Sequence, residues 1–431
     1  MTSLLDRSLS LPSGGSLKNR IAKAAMTEGL ADPGNRATAR LAALYRRWGE
    51  GGAGLLVTGN VMVDRRYLER PGNVAIDGPQ SEEQIAALKA WAGAARDAGA
   101  DIWMQISHAG RQTPKIVATE PVAPSAVDLD LPGGTFATPR ALTGAEIEEV
   151  IERFVHAASI AKQTGFTGVQ IHAAHGYLIS AFLSPLVNRR EDEWGGPLEN
   201  RARLLMRVVR ETRARLGSGY AVSVKLNSSD FQKGGFAPED SLRVTEWLNE
   251  AGVDLLEISG GSYEQPAMMD IEGMEARHEE TRRETTRERE AYFLIYAEEM
   301  RRVAQMPLMV TGGFRSRAGM EDALSGGACD VCGIARPLCV DPDLPGKLLR
   351  GEVDAAPSYE KRLRIGPGVL GPNSSIDILR ALNGFGVMAF FYRNIFRLAD
   401  GLEAKDRMAV LPAFVRHQMH EAAAAKALTG R

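Results

Sequence analysis

Residues 170 to 177 read Gln-Ile-His-Ala-Ala-His-Gly-Tyr and place His172, His175 and Tyr177 within six positions at the end of a strand-like run. Two imidazoles can hold one electronegative oxygen and a phenol can deliver one proton. That set suits addition of a hydride to a double bond conjugated to a carbonyl better than it suits hydrolysis. With a reference pKa of about 10 the phenol is protonated at neutral pH, and two neutral imidazoles can donate to a developing enolate. One histidine or tyrosine after a strand is usually a packing residue, whereas three on one strand end argue for a site. The rest of the chain must supply the hydride.

The elements that would hold these residues recur in regular alternation. Eight short apolar runs recur, Ile21 to Met26, Gly54 to Val63, Asp101 to Ser107, Gly168 to Ala173, Ala221 to Asn227, Asp254 to Ser259, Pro307 to Thr311 and Asp330 to Ile334, several of them nearly continuous in apolar residues, as doubly covered parallel strands are. Between them Ser81 to Ala98, Thr143 to Thr164, Pro197 to Leu216 and Pro238 to Ala251 carry apolar positions at three- and four-residue spacing, and Thr143 with Glu146 forms a capping-box start. Gly99, Gly165, Gly252 and Gly327 each stand where a helix ends in a left-handed residue before the next strand. Eight such units predict a closed (β/α)8 TIM barrel, in which catalytic groups project from the C-terminal strand ends. Thr27, Gly59, Gln105, His172, His175 and Lys225 all fall at or near those ends although two hundred residues of sequence separate them. The loops His108 to Leu142 and Gly260 to Arg287 are long on the same rim, where lids and substrate walls belong.

Composition narrows the class without choosing a reaction. The chain has 431 residues, 44% hydrophobic and 25% charged, which is the balance of a globular protein with a large core. A net charge of −2 and the absence of a basic block give no sign of nucleic acid, and the run Arg277 to Glu290 alternates in sign as a solvated surface segment does. Cys329, Cys332 and Cys339 lie within eleven residues without a signal-peptide pattern, so a reducing compartment, the cytoplasm, is expected. The pair Cys329 and Cys332 lacks the four ligands of a structural metal site, and no metal is expected.

A second signal sits in the last two units. Val310-Thr-Gly-Gly-Phe leads toward a helix near Ser316, and Gly333-Ile-Ala-Arg336 closes the eighth strand. Barrels commonly hold a phosphate here, with backbone N–H groups that glycines let approach and an arginine fork as clamp. The Thr-Gly-Gly turn alone is equally an ordinary loop; Arg336 gives it weight.

From Leu17-Lys-Asn-Arg-Ile, Gln105-Ile-Ser-His-Ala-Gly-Arg111, His172-Ala-Ala-His-Gly-Tyr-Leu and the stretch Phe182 to Arg201, in this order, the chain resembles the Old Yellow Enzyme family of flavin-dependent oxidoreductases over roughly residues 10 to 345. The resemblance implies FMN bound without a covalent link across the barrel mouth, with NADH or NADPH as reductant and an electron-poor alkene, an α,β-unsaturated carbonyl or nitro compound, as substrate. Ala24, Ala25, Met26 and Thr27 would run beside the flavin ring, Thr27 bonding its carbonyl. Gly59 and Gln105 would line the pyrimidine edge, and Lys225 would lie where a positive charge stabilises the anionic reduced ring. Gly312, Gly313, Ala335 and Arg336 would hold the phosphate. His172, also in contact with the cofactor, and His175 would polarise the substrate oxygen, and Tyr177 would give the proton.

Three departures stand out: Thr27 replaces a cysteine common in bacterial relatives, Glu28-Gly-Leu replaces an aromatic, and Lys225 replaces an arginine, keeping the charge but not the bidentate fork. Residues 1–350 are read as the barrel and 351–431 as a mainly helical extension packing on the barrel or on a partner subunit, so a homo-oligomer stays open. Its apolar run Gly384-Phe-Gly-Val-Met-Ala-Phe-Phe-Tyr is too short for an integral membrane span, while Arg380, Arg393 and Arg397 around it leave a lid or membrane-surface role as the rival. Two rival functions are a metal-dependent barrel hydrolase with His172 and His175 as ligands, and a flavin-binding redox module without catalysis.

Overall fold

The computed structural model describes residues 3–129, 131, 134–264 and 293–429. The run Arg277 to Glu290 and most of the loop Gly260 to Arg287 lie outside them.

Eight parallel strands close a barrel: β1 (Ile21–Lys23), β2 (Leu55–Val57), β3 (Asp101–Ser107), β4 (Gly168–Ala173), β5 (Ala221–Asn227), β6 (Leu255–Ser259), β7 (Leu308–Thr311) and β8 (Val331–Ile334). Each pairs with the next, and β8 returns to β1 through Cys332 opposite Ile21. Helices follow the strands in turn: α1 (Ala39–Glu50), α2 (Glu82–Asp97), α3 (Gly144–Gln163), α4 (Arg203–Leu216), α5 (Pro238–Glu250), α6 (Leu294–Met300), α7 (Arg317–Ser325) and α8 (Leu344–Arg350). The barrel is the predicted fold. The four punctuating glycines have φ of 77°, 88°, 70° and 69° at Gly99, Gly165, Gly252 and Gly327, which is why glycine stands there. Thr143 and Glu146 close a capping box at the start of α3, and Ser81 with Gln84 does the same for α2.

Two predicted elements are broken. The run Gly54 to Val63 divides into β2 and a separate pair, Val61–Met62, because the chain turns in against β1's continuation at Gly59. A β-carbon on Gly59 would stand 2.3 Å from the Met26 carbonyl oxygen, so only glycine fits. The run Pro197 to Leu216 likewise yields a short turn, Leu198–Arg201, before α4.

The layer between the barrel and α1 is not wholly apolar. Lys23 is fully buried, donates to the Val57 carbonyl at 2.7 Å and the Tyr45 hydroxyl at 3.0 Å, and sits 3.7 Å from Glu28. Burial pushes its ammonium down to about 8, against the pull of Glu28.

Beyond the barrel run α9 (Asp377–Ala399) and α10 (Val410–Thr429). The extension touches the barrel through Arg40, which donates to Asp400 at 2.7 Å and lies over the Phe396 ring at 5.5 Å. Among the described residues no helix is long and apolar enough to cross a membrane.

Candidate active site

At the C-terminal end of β4 the chain leaves the sheet through His172-Ala-Ala-His175-Gly-Tyr177. His175 adopts φ of 65°, unusual for a residue with a side chain, and Gly176 follows at 79°. That turn folds three rings together: the His172 centroid lies 5.1 Å from His175 and 4.8 Å from Tyr177, both edge to face. Tyr177 then precedes a short buried helix, Leu178–Leu183, which anchors it.

Hydrogen bonds set the donor ends. His172 Nδ1 accepts the Ala174 N–H at 3.3 Å, which leaves Nε2 as the protonated nitrogen of a neutral ring. His175 Nε2 shares a bond with the Ser259 hydroxyl at 2.6 Å, while its backbone N–H donates to Asn227 at 3.1 Å. Burial and then the charge of Lys225 hold both imidazoles well below their ordinary pKa, so both are neutral at pH 7. Burial, with the negative charge of Glu69, holds the Tyr177 phenol well above its usual value.

Lys225 is fixed by register. It stands opposite His172 on β4 and Glu257 on β6, and its ammonium pairs with the Glu257 carboxylate at 2.9 Å. A polar chain continues across the barrel: Gln170 Nε2 donates to Glu257 at 2.8 Å, and Gln105 Nε2 donates to Gln170 at 2.7 Å. Sequence reasoning named Gln105 and Lys225 but missed Gln170 and Glu257. Their signal was available, since each is a polar residue within an otherwise apolar strand.

Beside these rings opens a cleft with about 1080 Å³ of empty space, part of it open to solvent. Ala25, Met26, Thr27, His175, Lys225, Gly312, Gly313, Ala335 and Arg336 line it. Ala24, Gly59, Gln105, His172 and Tyr177 do not. Ala24 is fully buried behind the strand end, and the Gly59 N–H donates to Glu28 at 2.9 Å. The Thr27 hydroxyl donates to the Glu69 carboxylate at 2.6 Å.

The far end of the cleft fits a phosphate. Gly312 and Gly313 have φ of 118° and 86°, the open backbone of an anion cradle. Arg336 Nη1 and Thr311 Oγ1 are buried without a hydrogen-bond partner among the described residues. The extension contributes here as well: Glu360 accepts from Arg315 at 2.7 Å and lies 3.8 Å from Arg336. From α9, Met388, Phe391, Tyr392 and Ile395 complete the cleft lining. The sequence marked the run 384–392, which holds Met388, Phe391 and Tyr392, but not its place on the cleft, because contact between the extension and the barrel mouth leaves no local pattern. Tyr392 is sandwiched, with the Arg70 guanidinium 4.3 Å from its ring on one side and the His417 ring stacked at 4.7 Å.

Comparison with known proteins gives a consistent result. Residues 13–354 match the family described as NADH:flavin oxidoreductase / NADH oxidase. The NADH-dependent flavin oxidoreductase iliE of Hypocrea jecorina is 38% identical over 356 residues, covering 78% of this chain and 86% of that protein. An Old Yellow Enzyme homologue from Zymomonas mobilis superposes with a TM-score of 0.68 at 28% identity, covering 82% of this chain and 94% of its own. A 2-naphthoyl-CoA reductase in complex with 2-naphthoyl-CoA superposes with a TM-score of 0.73 at 28% identity, covering 82% of this chain and 53% of its own.

Proposed function

Because this chain belongs to the NADH:flavin oxidoreductase / NADH oxidase family, we propose that it reduces the C=C bond of an α,β-unsaturated carbonyl or nitro compound, with NADH or NADPH and the substrate visiting one site in turn. FMN is the cofactor and supplies the hydride chemistry. Gly312, Gly313, Ala335 and Arg336 would hold its phosphate, Lys225 its anionic reduced ring, and residues 25–27 its face.

The observation that carries the reading is the neutral His172 and His175 pair closed against Tyr177 beside that cleft, with His175 on its wall. A substrate oxygen placed between the imidazoles receives two hydrogen bonds that strengthen as it gains negative charge, which lowers the barrier at the β-carbon. Neutral rings suit this task, since an imidazolium would compete as an acid. Tyr177, kept protonated by burial, gives its proton to the α-carbon. The donors around the two histidines, Ser259, Asn227 and the cation Lys225, do not form a metal-ligand set, which disfavours the hydrolase reading.

The test is steady-state kinetics of the yellow holoprotein with nicotinamide and enone both varied. Parallel initial-rate lines are expected; intersecting lines, or an enone that leaves the reduced protein bleached, would overturn the proposal.

A further inference from the structure

Tyr177 is 5% exposed, so once it has given up its proton it has little direct access to water. Its hydroxyl stands 3.0 Å from the Tyr263 hydroxyl, and the two rings meet edge to face at 5.9 Å. Tyr263 arrives from the loop after β6, is half-buried rather than buried, and feels the nearby negative charge of Glu69. Glu69 is itself held in place: it accepts from Thr27 at 2.6 Å and Asn60 at 2.9 Å, and lies 3.6 Å from Arg70.

We propose that Tyr263 is a positioning residue that relays protons from solvent to Tyr177, with the charge of Glu69 helping to keep it protonated. This rests on the reading of Tyr177 as the acid. The steps balance as follows. The Tyr177 O–H bond breaks and its proton goes to the substrate α-carbon, leaving a phenolate. The Tyr263 hydroxyl stabilises that phenolate by donating a hydrogen bond, and passes its proton across the 3.0 Å gap. Water at the half-buried edge of Tyr263 returns the proton. Burial and then the Glu69 charge raise both phenols, so neither is lost to ionisation in neutral solution.

The experiment follows reoxidation of the reduced holoenzyme by cyclohexenone in a stopped-flow instrument, across a pH series, for Tyr177→Phe, Tyr263→Phe, the double variant and Glu69→Gln. Tyr263→Phe should slow the enone reaction about tenfold, less than the roughly hundredfold or more expected for loss of the positioned acid itself. The double variant should be no slower than Tyr177→Phe alone, because the two phenols act in series. Glu69→Gln should move the alkaline fall in rate to lower pH, since removing a negative charge lowers the phenol pKa. A Tyr263→Phe enzyme with the wild-type rate and pH profile overturns the relay, as does a defect that adds fully to that of Tyr177→Phe. If Tyr177→Phe itself reoxidises at the wild-type rate, the acid assignment fails and the relay with it; a slow Tyr177→Phe beside a normal Tyr263→Phe removes the relay alone.

Discussion

Each residue of the proposed site has a distinct task, and substitutions separate them. Tyr177→Phe removes only a proton donor, so enone reduction should fall by roughly two orders of magnitude while flavin reduction and phenol binding persist. A nitroalkene sharpens the comparison, because its product anion is stable unprotonated; hydride transfer to it should be spared, and an equal loss on both substrates would contradict the role. Lys225→Met should slow flavin reduction by the nicotinamide and weaken FMN binding. It also strands Glu257, which is fully buried, so the single variant should be destabilised. Adding Glu257→Gln should recover thermal stability without recovering the reduction rate. A defect confined to the alkene half-reaction would place Lys225 elsewhere in the chemistry.

Among elements, α9 stands apart from the barrel helices. Those cover strands; α9 also supplies Met388, Phe391, Tyr392 and Ile395 to the cleft lining, and Tyr392 bridges Arg70 and His417. Tyr392→Ala removes that wall and the stack on Arg70 together. Its FMN dissociation constant, read from the fluorescence of released flavin, should rise about tenfold, the loss of one good aromatic contact. An unchanged constant would mean that α9 lines empty space rather than the cofactor. The barrel strands were legible in the chain because parallel strands covered on both faces must be apolar, and glycines mark where each helix ends. The break at Gly59 was not legible, since it comes from a close approach to Met26, a contact that no local pattern records.

For the whole molecule, buried neutral histidines set the acid limit of stability. His108 accepts the Gly110 N–H at 3.0 Å, is 2% exposed, and is pushed down to about 4 by burial, against the pull of Asp64. Its folded pKa lies below the unfolded value of about 6.5, so the unfolded chain binds the extra proton between these limits. Stability is therefore full above pH 6.5 and falls as pH drops toward 4, by on the order of 3 kcal/mol for this one group. His172 and His175, lowered in the same direction, add to the loss. Melting temperatures measured from pH 7 to 4 should fall steeply, and His108→Asn should flatten the slope. A flat profile in the native protein would mean that these rings are not buried neutral.

The chain alone determined the alternation of eight strands and helices, the cluster after β4, the glycine pair and Arg336, because these depend on periodicity, turn chemistry and motifs that are local in sequence. Folding was needed to bring Gln170 and Glu257 into one polar line with Gln105 and Lys225, to set Tyr263 and Glu69 behind Tyr177, and to lay α9 along the cleft. Those pairings join residues far apart in the chain, and their energies depend on distance and burial after closure of the barrel. No spacing along the polypeptide encodes them singly.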